Sequence, residues 1–372
     1  MHPFVSFVVP CYKMAHLLPQ CVNSILGQDY ENFEVLIMDN CSPDRTPEIA
    51  QSFNDPRVRH IRNESNVGHI RNFNKGITLA RGKYVWVLTA DDLLRSPHVL
   101  GRFLDLMERT PRVGFVFCRA VELHGGKETG VGQWADCGEE DRIWDGRIFF
   151  RRLIEADCIV ASSVLVRKEC YPKPGPYQPD LPFASDWYIW CLIAMQYDVA
   201  YLSEPMVCCR FHEESLTTLY SRDYATICIG DELSVLWRVG HEAELAGSPS
   251  LRRACEAALI RRAVRLLGAG LKNETPGMSL ADFETILEGR MTNSEDKNEI
   301  RASVYTNLAD EQYWEGEHEQ AARSYRLALS AHPGRLKTLA KYLLLRTGVV
   351  GIRVRQMFHQ HPRWNVGVKY AK

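Results

Sequence analysis

Several features are scarce in this 372-residue sequence, and each scarcity removes a class of protein. No stretch approaches the roughly 18 uncharged apolar residues of a membrane span, so none is expected. The opening Met1-His2-Pro3-Phe4-Val5-Ser6 has neither a basic cluster nor a long apolar run and does not read as a secretion signal. Twelve cysteines are present, but no Cys-x-x-Cys, and the one adjacent pair is Cys208-Cys209, so a zinc site is not indicated. Cys21, Cys118 and Cys191 lie among apolar neighbours and read as buried free thiols of a reducing cytoplasm. A charge imbalance is also missing. Lys+Arg number 45 against 46 Asp+Glu, so the whole-molecule charge gives no argument for nucleic acid.

What is there is ordinary for a globular protein, with 45% hydrophobic and 24% charged residues. The length exceeds one ordinary core and suggests two domains. The first half alternates strand and helix signals. Phe4 to Val9 and Phe33 to Met38 are strand runs, and Leu17, Leu18, Cys21, Val22, Ile25 and Leu26 between them have helical spacing. Thr46-Pro47-Glu48 resembles a helix start, with Thr as cap. Val58 to Ile61 is a short strand, 69 to 80 a helix, and Tyr84 to Leu88 a strand that opens onto Thr89-Ala90-Asp91-Asp92. Such repeated units predict a mostly parallel sheet covered on both faces, with its site beyond the C-terminal strand ends. Pro10, Asp39 and Thr89 fall at that edge. Residues 122 to 142, with Trp134, read as a loop, and Cys158 to Val166 as a strand. Tyr171 to Pro182 carries five prolines and reads as a loop before a helix over Trp187 to Ala194. Val199 to Leu202 and Met206 to Phe211 read as two short strands.

Six segments together resemble the family 2 glycosyltransferases over about residues 4 to 216. They are Val5-Ser6-Phe7-Val8-Val9-Pro10-Cys11-Tyr12; Phe33 to Asn40 with Ser42 and Asp44; Asn66-Val67-Gly68 with Arg71-Asn72; Ala80-Arg81-Gly82-Lys83-Tyr84; Ala90-Asp91-Asp92; and Ser185-Asp186-Trp187, closed by Arg210-Phe211-His212 and Ser215. The resemblance implies a GT-A fold, an α/β nucleotide-binding sandwich, and transfer with inversion. A nucleotidyltransferase, the other α/β candidate, usually opens on a Gly-rich loop, and this chain has no glycine before Gly27.

The chemistry calls for these residue types. Asp39 at a strand end can accept from the imide N–H of uracil or thymine. Tyr12 offers a ring, and Arg71 a planar fork for a carbonyl or phosphate. Pro10 shapes the same pocket. Asp92 is assigned direct contact with Mg²⁺ or Mn²⁺ on the leaving diphosphate, and Asp91 contact with ribose or metal. His212 is implied by the resemblance to reach the metal or diphosphate. Asp186 is the expected base for the acceptor hydroxyl, and the same position could cap the helix that follows. Many family members have Asp where this chain has Thr89, which puts the metal affinity in question. The expected activity moves sugar from a UDP- or dTDP-sugar to a glycan or lipid-linked acceptor, in surface polysaccharide or glycolipid synthesis. The alternative is a degenerate, non-catalytic relative that binds nucleotide or protein through its helical region. Thr89 favours it; Asp91, Asp92 and Asp186 oppose it.

The expected division is a GT-A domain over 1–220 and an all-helical region over 221–372. Within the latter, Tyr305 to Pro333 resembles one tetratricopeptide repeat at Leu308, Tyr313, Gly316, Ala321, Ala322, Tyr325, Ala328, Leu329 and Pro333. A single repeat cannot bury its own face, so a packed helical pair is an equal reading. Gln320 to Lys372 holds eleven Lys and Arg and no acid. Over 335–372 these cations interleave with leucines and other apolar residues, which suggests an anionic membrane surface as partner and a cytoplasmic or peripheral location. No nucleic-acid motif accompanies them, and His359-Gln360-His361 diverge too far to share a metal.

Overall fold

In the computed structural model, residues 4–132, 136–173 and 175–348 are described. Trp134 and the basic segment beyond residue 348, with His359 and His361, lie outside them. The chain forms two compact units, Met1–Ala254 and Cys255–Lys372.

The first unit opens with β1 (Val5–Cys11), α1 (Leu18–Leu26), β2 (Phe33–Asp39), α2 (Thr46–Gln51), β3 (Val58–Arg62), α3 (His69–Leu79) and β4 (Tyr84–Val87). β5 (Leu93–Leu94), α4 (Val99–Arg109), β6 (Val113–His124), β7 (Lys127–Val131) and β8 (Arg142–Trp144) follow. Then come α5 (Gly146–Leu153), β9 (Val164–Arg167), α6 (Ser185–Ala194), β10 (Asp198–Phe211), α7 (Leu216–Asp223) and α8 (Ala225–Leu245). All ten strands join one sheet, in the order β3-β2-β1-β4-β9-β6-β10-β5, with β7 on β6 and β8 on β10. β3, β2, β1 and β4 are mutually parallel, as are β6 and β10, while β9 joins the two groups antiparallel.

β1 and β2 are buried along their whole length, which is why they read as continuous apolar runs. Val5, Phe7 and Val9 pack with Leu18, Val22 and Ile25 of α1 and with Leu100 and Phe103 of α4. The opposite face carries Val8 and Met38, which meet α3 at Gly76; a Cβ there would lie 2.3 Å from Val8 Cγ1. The sheet is thus covered on both sides.

Four details differ from the sequence reading. Residues 122–131 are not loop. β6 turns into β7 through Gly125 and Gly126, with φ of 58° and 79°, the two positive values that a tight type I′-like hairpin turn requires. Over Cys158 to Val166 the strand begins only at Val164, after a 3₁₀ turn at Ala161–Ser163. The two expected C-terminal strands are one, β10, which absorbs Pro205 in register shifts against β6. At α2, Thr46 lies inside the helix and caps nothing; its N–H donates to Asp44 Oδ1 at 3.2 Å.

Past α8 come α9 (Pro249–Leu271), α10 (Leu280–Arg290), α11 (Ser294–Trp314), α12 (His318–Ala331) and α13 (Leu336–Arg346). Ser279 and Asp282 close a capping box on α10. The repeat-like segment forms the helical pair α11–α12, turning at Gly316 with φ 88°. Ala309, Tyr313, Ala321 and Tyr325 form its core, with Leu345 of α13 added. No helix among the described residues is long and apolar enough to cross a membrane.

Gly82 shows how tightly the first unit is drawn together. Glu34 Oε1 accepts from Ser6 Oγ at 2.7 Å and from Arg81 N at 2.8 Å, while Gly82 N donates to Ser6 Oγ at 2.8 Å. A Cβ on Gly82 would stand 2.6 Å from Ser6 N and 2.8 Å from Val5 C, both backbone atoms that cannot swing away. Gly82→Ala is expected to lower the unfolding free energy by about 1–3 kcal/mol. An unchanged urea midpoint would refute this close-approach reading.

Candidate active site

The parallel register brings three strand ends to one edge. Cys11 lies opposite Asp39, and Arg62 lies opposite Asp39 on its other side. Beyond β4, Ala90 N donates to Pro10 O at 3.2 Å. Just past this edge is a lattice of asparagines. Asn63 Nδ2 donates to Asn40 Oδ1 at 3.0 Å and to Asn72 Oδ1 at 2.9 Å, and Asn40 Nδ2 donates to Asn66 Oδ1 at 2.8 Å. Asn72 Nδ2 donates to Met38 O at 2.8 Å. Gly68, at φ 83°, turns the chain from this lattice into α3. The lattice fixes the first turn of α3, where Arg71 stands exposed with no ion pair among the described residues.

Asp39 is fully buried. Its Oδ1 accepts from Ser42 N at 2.8 Å, and its Oδ2 lies 3.5 Å from His60 Nε2 and 3.3 Å from Arg62 Nη1. Those contacts are ionic in reach but poorly directed, so Oδ2 is a buried acceptor without a hydrogen bond. Burial pushes the Asp39 pKa up, but His60, Ser42 and Arg62 outweigh it and hold the carboxyl below its usual range. Ser42 Oγ also accepts from Lys13 N at 3.1 Å, and Asp44 Oδ2 accepts from Ala15 N at 3.3 Å. These bonds tie the loop bearing Tyr12, 37% exposed, to the segment after Asp39.

Asp92 sits behind Asp91. It is 5% exposed, and its Oδ1 and Oδ2 accept from Arg210 N at 2.8 Å and Thr89 Oγ1 at 2.9 Å. Thr89 Oγ1 is also 3.0 Å from Ser162 Oγ, so a hydroxyl pair occupies the position where the family resemblance implied a third carboxylate. Asp91 keeps its carboxylate toward the edge, with Oδ2 3.1 Å from His212 Nε2. That bond raises the His212 pKa against the opposing effect of burial. Arg210 binds the whole turn, donating from Nε to Asp91 O at 2.9 Å. Among the described residues no three His, Cys, Asp or Glu form a metal cage. Asp91, His212 and Asp92 therefore suit a hard cation only as a partial donor set that diphosphate oxygens would complete.

Asp186 lies in the first turn of α6 and is not its N-cap, which is Ala184. Its Oδ1 accepts from Trp187 N at 2.8 Å. The preceding loop is stitched to α3, since Asn74 Nδ2 donates to Tyr177 O at 2.7 Å and His69 Nε2 lies 2.9 Å from Pro182 O. The helix that carries Arg71 therefore also positions the approach to Asp186. Asp231 of α8 accepts from Phe183 N at 2.7 Å through Oδ2. Burial pushes Asp186 up to about 6. Burial, followed by the charge of Asp186, pushes Asp157 well above its ordinary value. The sequence reading missed both Asp157 and Asp231. Neither sits in a motif; a carboxylate before an apolar run and one within an apolar helix were the only available signals.

Burial first, and then the charge of Asp91, push the Asp92 pKa up to about 7. An unfolded Asp titrates near about 3.9. The contribution of Asp92 to stability is therefore intact at low pH and is lost as pH rises through about 7. In chelator, Asp92→Asn should raise Tm at pH 8 and do so much less at pH 4.5. Equal shifts at both pH values in calorimetry would refute the buried-charge account.

Comparison with known proteins gives this arrangement a family. Residues 6–173 match the model described as Glycosyl transferase family 2. An uncharacterized glycosyltransferase of Haemophilus influenzae is 24% identical over 229 residues, 59% of this chain and 69% of that protein. The succinoglycan biosynthesis protein ExoO of Rhizobium meliloti is 39% identical over 103 residues, but the match spans only 28% of this chain and 29% of ExoO. The fold is similar to S. aureus TarS 1-349 solved with UDP-GlcNAc, at 16% identity and a TM-score of 0.56, covering 95% of this chain and 92% of that one. The matched segment is a family 2 glycosyltransferase domain of the GT-A type, and the chain is a glycosyltransferase.

Proposed function

We propose that the protein transfers a sugar, with inversion, from a UDP- or dTDP-sugar to a hydroxyl of a glycan or lipid-linked acceptor in surface polysaccharide or glycolipid assembly. The observation that carries this reading is the meeting of Asp39 and the Asp91–His212 pair at one sheet edge. The expected 1–220 catalytic portion contains all of these residues. ExoO is named for succinoglycan biosynthesis, which supports a polysaccharide acceptor. TarS was solved with UDP-GlcNAc, which favours uridine over deoxythymidine.

In this reading the unbonded Oδ2 of Asp39 accepts the imide N–H of the base. Tyr12 covers one face of the ring, Pro10 backs it, and Arg71 reaches the base carbonyl or a phosphate. A Mg²⁺ or Mn²⁺ ion, when bound, neutralises the charge growing on the leaving diphosphate. Asp91 and His212 are the residues best placed to hold it, with Asp92 behind them, because both Asp92 oxygens already accept protein hydrogen bonds. Asp186 takes the proton of the acceptor hydroxyl as that oxygen bonds the anomeric carbon and the bond to the diphosphate breaks. A pKa of about 6 leaves Asp186 ionised at neutral pH yet basic enough to accept.

Two experiments test this. Donor turnover is followed as release of nucleoside diphosphate from a panel of sugar nucleotides. Asp186→Asn should reduce transfer by about 10² or more with the nucleotide Kd unchanged, and the wild-type rate should fall about tenfold per pH unit below about 6. Near-normal turnover in Asp186→Asn overturns the base assignment. Excess chelator should abolish transfer and Mn²⁺ restore it, with the response weakened in Asp91→Asn and His212→Ala. Full activity in chelator would show that side-chain cations alone carry the leaving group.

A further inference from the structure

Helix α13 is apolar on two opposite sides. One side buries Thr338 and Leu345, the latter in the cluster with Tyr313 and Tyr325. The other carries Leu336, Leu339 and Leu343, exposed at 76%, 36% and 54%. At about 100° per residue, these leucines and the exposed Ala340 share one arc about 100° wide. Lys337 and Arg346 stand on its two borders, exposed and without an ion pair among the described residues. The neighbouring cations are already engaged. Lys341 Nζ pairs with Asp310 Oδ2 at 2.5 Å, and Arg335 pairs with Glu299. Lys341 thus stands apart from Lys337 and Arg346.

We infer that this face of α13 docks on an anionic lipid surface. The surface is one face of a single helix, and within Leu336–Arg346 no hydrogen-bonding side chain lies in its strip. That suits an acyl boundary better than the mixed polar face of a protein partner. The cations lie at the rims, where headgroup phosphates stand when a helix lies in the interface plane. Gln320 to Lys372 contains no acid, and the acids of α11 that reach α13, Glu299 and Asp310, are paired with Arg335 and Lys341. The inference is independent of the donor and the base, because it uses no residue of the catalytic edge.

The test is co-sedimentation of the full chain with phosphatidylcholine vesicles, with and without phosphatidylglycerol. The wild type should bind only the anionic vesicles and be released by high salt. Leu336→Gln with Leu343→Gln should lower the partition coefficient by about tenfold or more, as should Lys337→Gln with Arg346→Gln. All four positions are exposed, so melting curves matching wild type should accompany both pairs. The proposal is overturned by absent wild-type binding, by equal binding to neutral vesicles, or by unchanged binding of the leucine pair. It is also overturned if sedimentation velocity shows an oligomer that the leucine pair dissolves, because the face would then be a contact between copies.

Discussion

β1 runs parallel to both β2 and β4, and that alignment is the constraint on which the rest of the site depends. Parallel neighbours end on the same side. Asp39, the Pro10–Tyr12 turn and Asp91–Asp92 are therefore delivered to one edge although up to about eighty residues separate them. The buried Ser6–Glu34 pair holds that alignment where the strands begin, and the asparagine lattice holds it where they end. Side-chain amides suit the second place because the backbone there has left the sheet and its polar groups still need partners.

Three buried carboxyls of the first unit resist ionisation. Asp92, Asp157 and Asp186 all titrate high because burial penalises their ionised forms. Asp39 is held low, where His60 and Arg62 face it. Such a distribution fits a surface completed by cationic or hydrogen-bond-donating ligands. Asp231 makes a different contribution. It lies in α8, past the last recognised motif, yet fixes the loop leading to Asp186.

How much of this could be read in advance depended on range. β1, β2 and β4 were legible as continuous apolar runs, and the candidate carboxylates Asp39, Asp91, Asp92 and Asp186 were singled out by their place after strands or before a helix. The hairpin at Gly125-Gly126 was a local signal that the surrounding charge obscured. Val199 to Leu202 and Met206 to Phe211 read as two strands, and pairing with β6 carries one strand across Pro205 between them. Asp157 and the partners of Thr89 were invisible for another reason. Their neighbours come from distant segments, and no spacing along the chain encodes them.

The packing around Gly82 bears on how such sequences should be compared. Gly68, Asn72, Arg81 and Gly82 belong to the recognisable pattern, yet here they serve strand alignment and a helix start. A chain that had lost turnover would still need them in order to fold. High similarity across this region therefore measures inherited architecture, and whether a homologue is alive as a catalyst is decided by a few side chains at the rim.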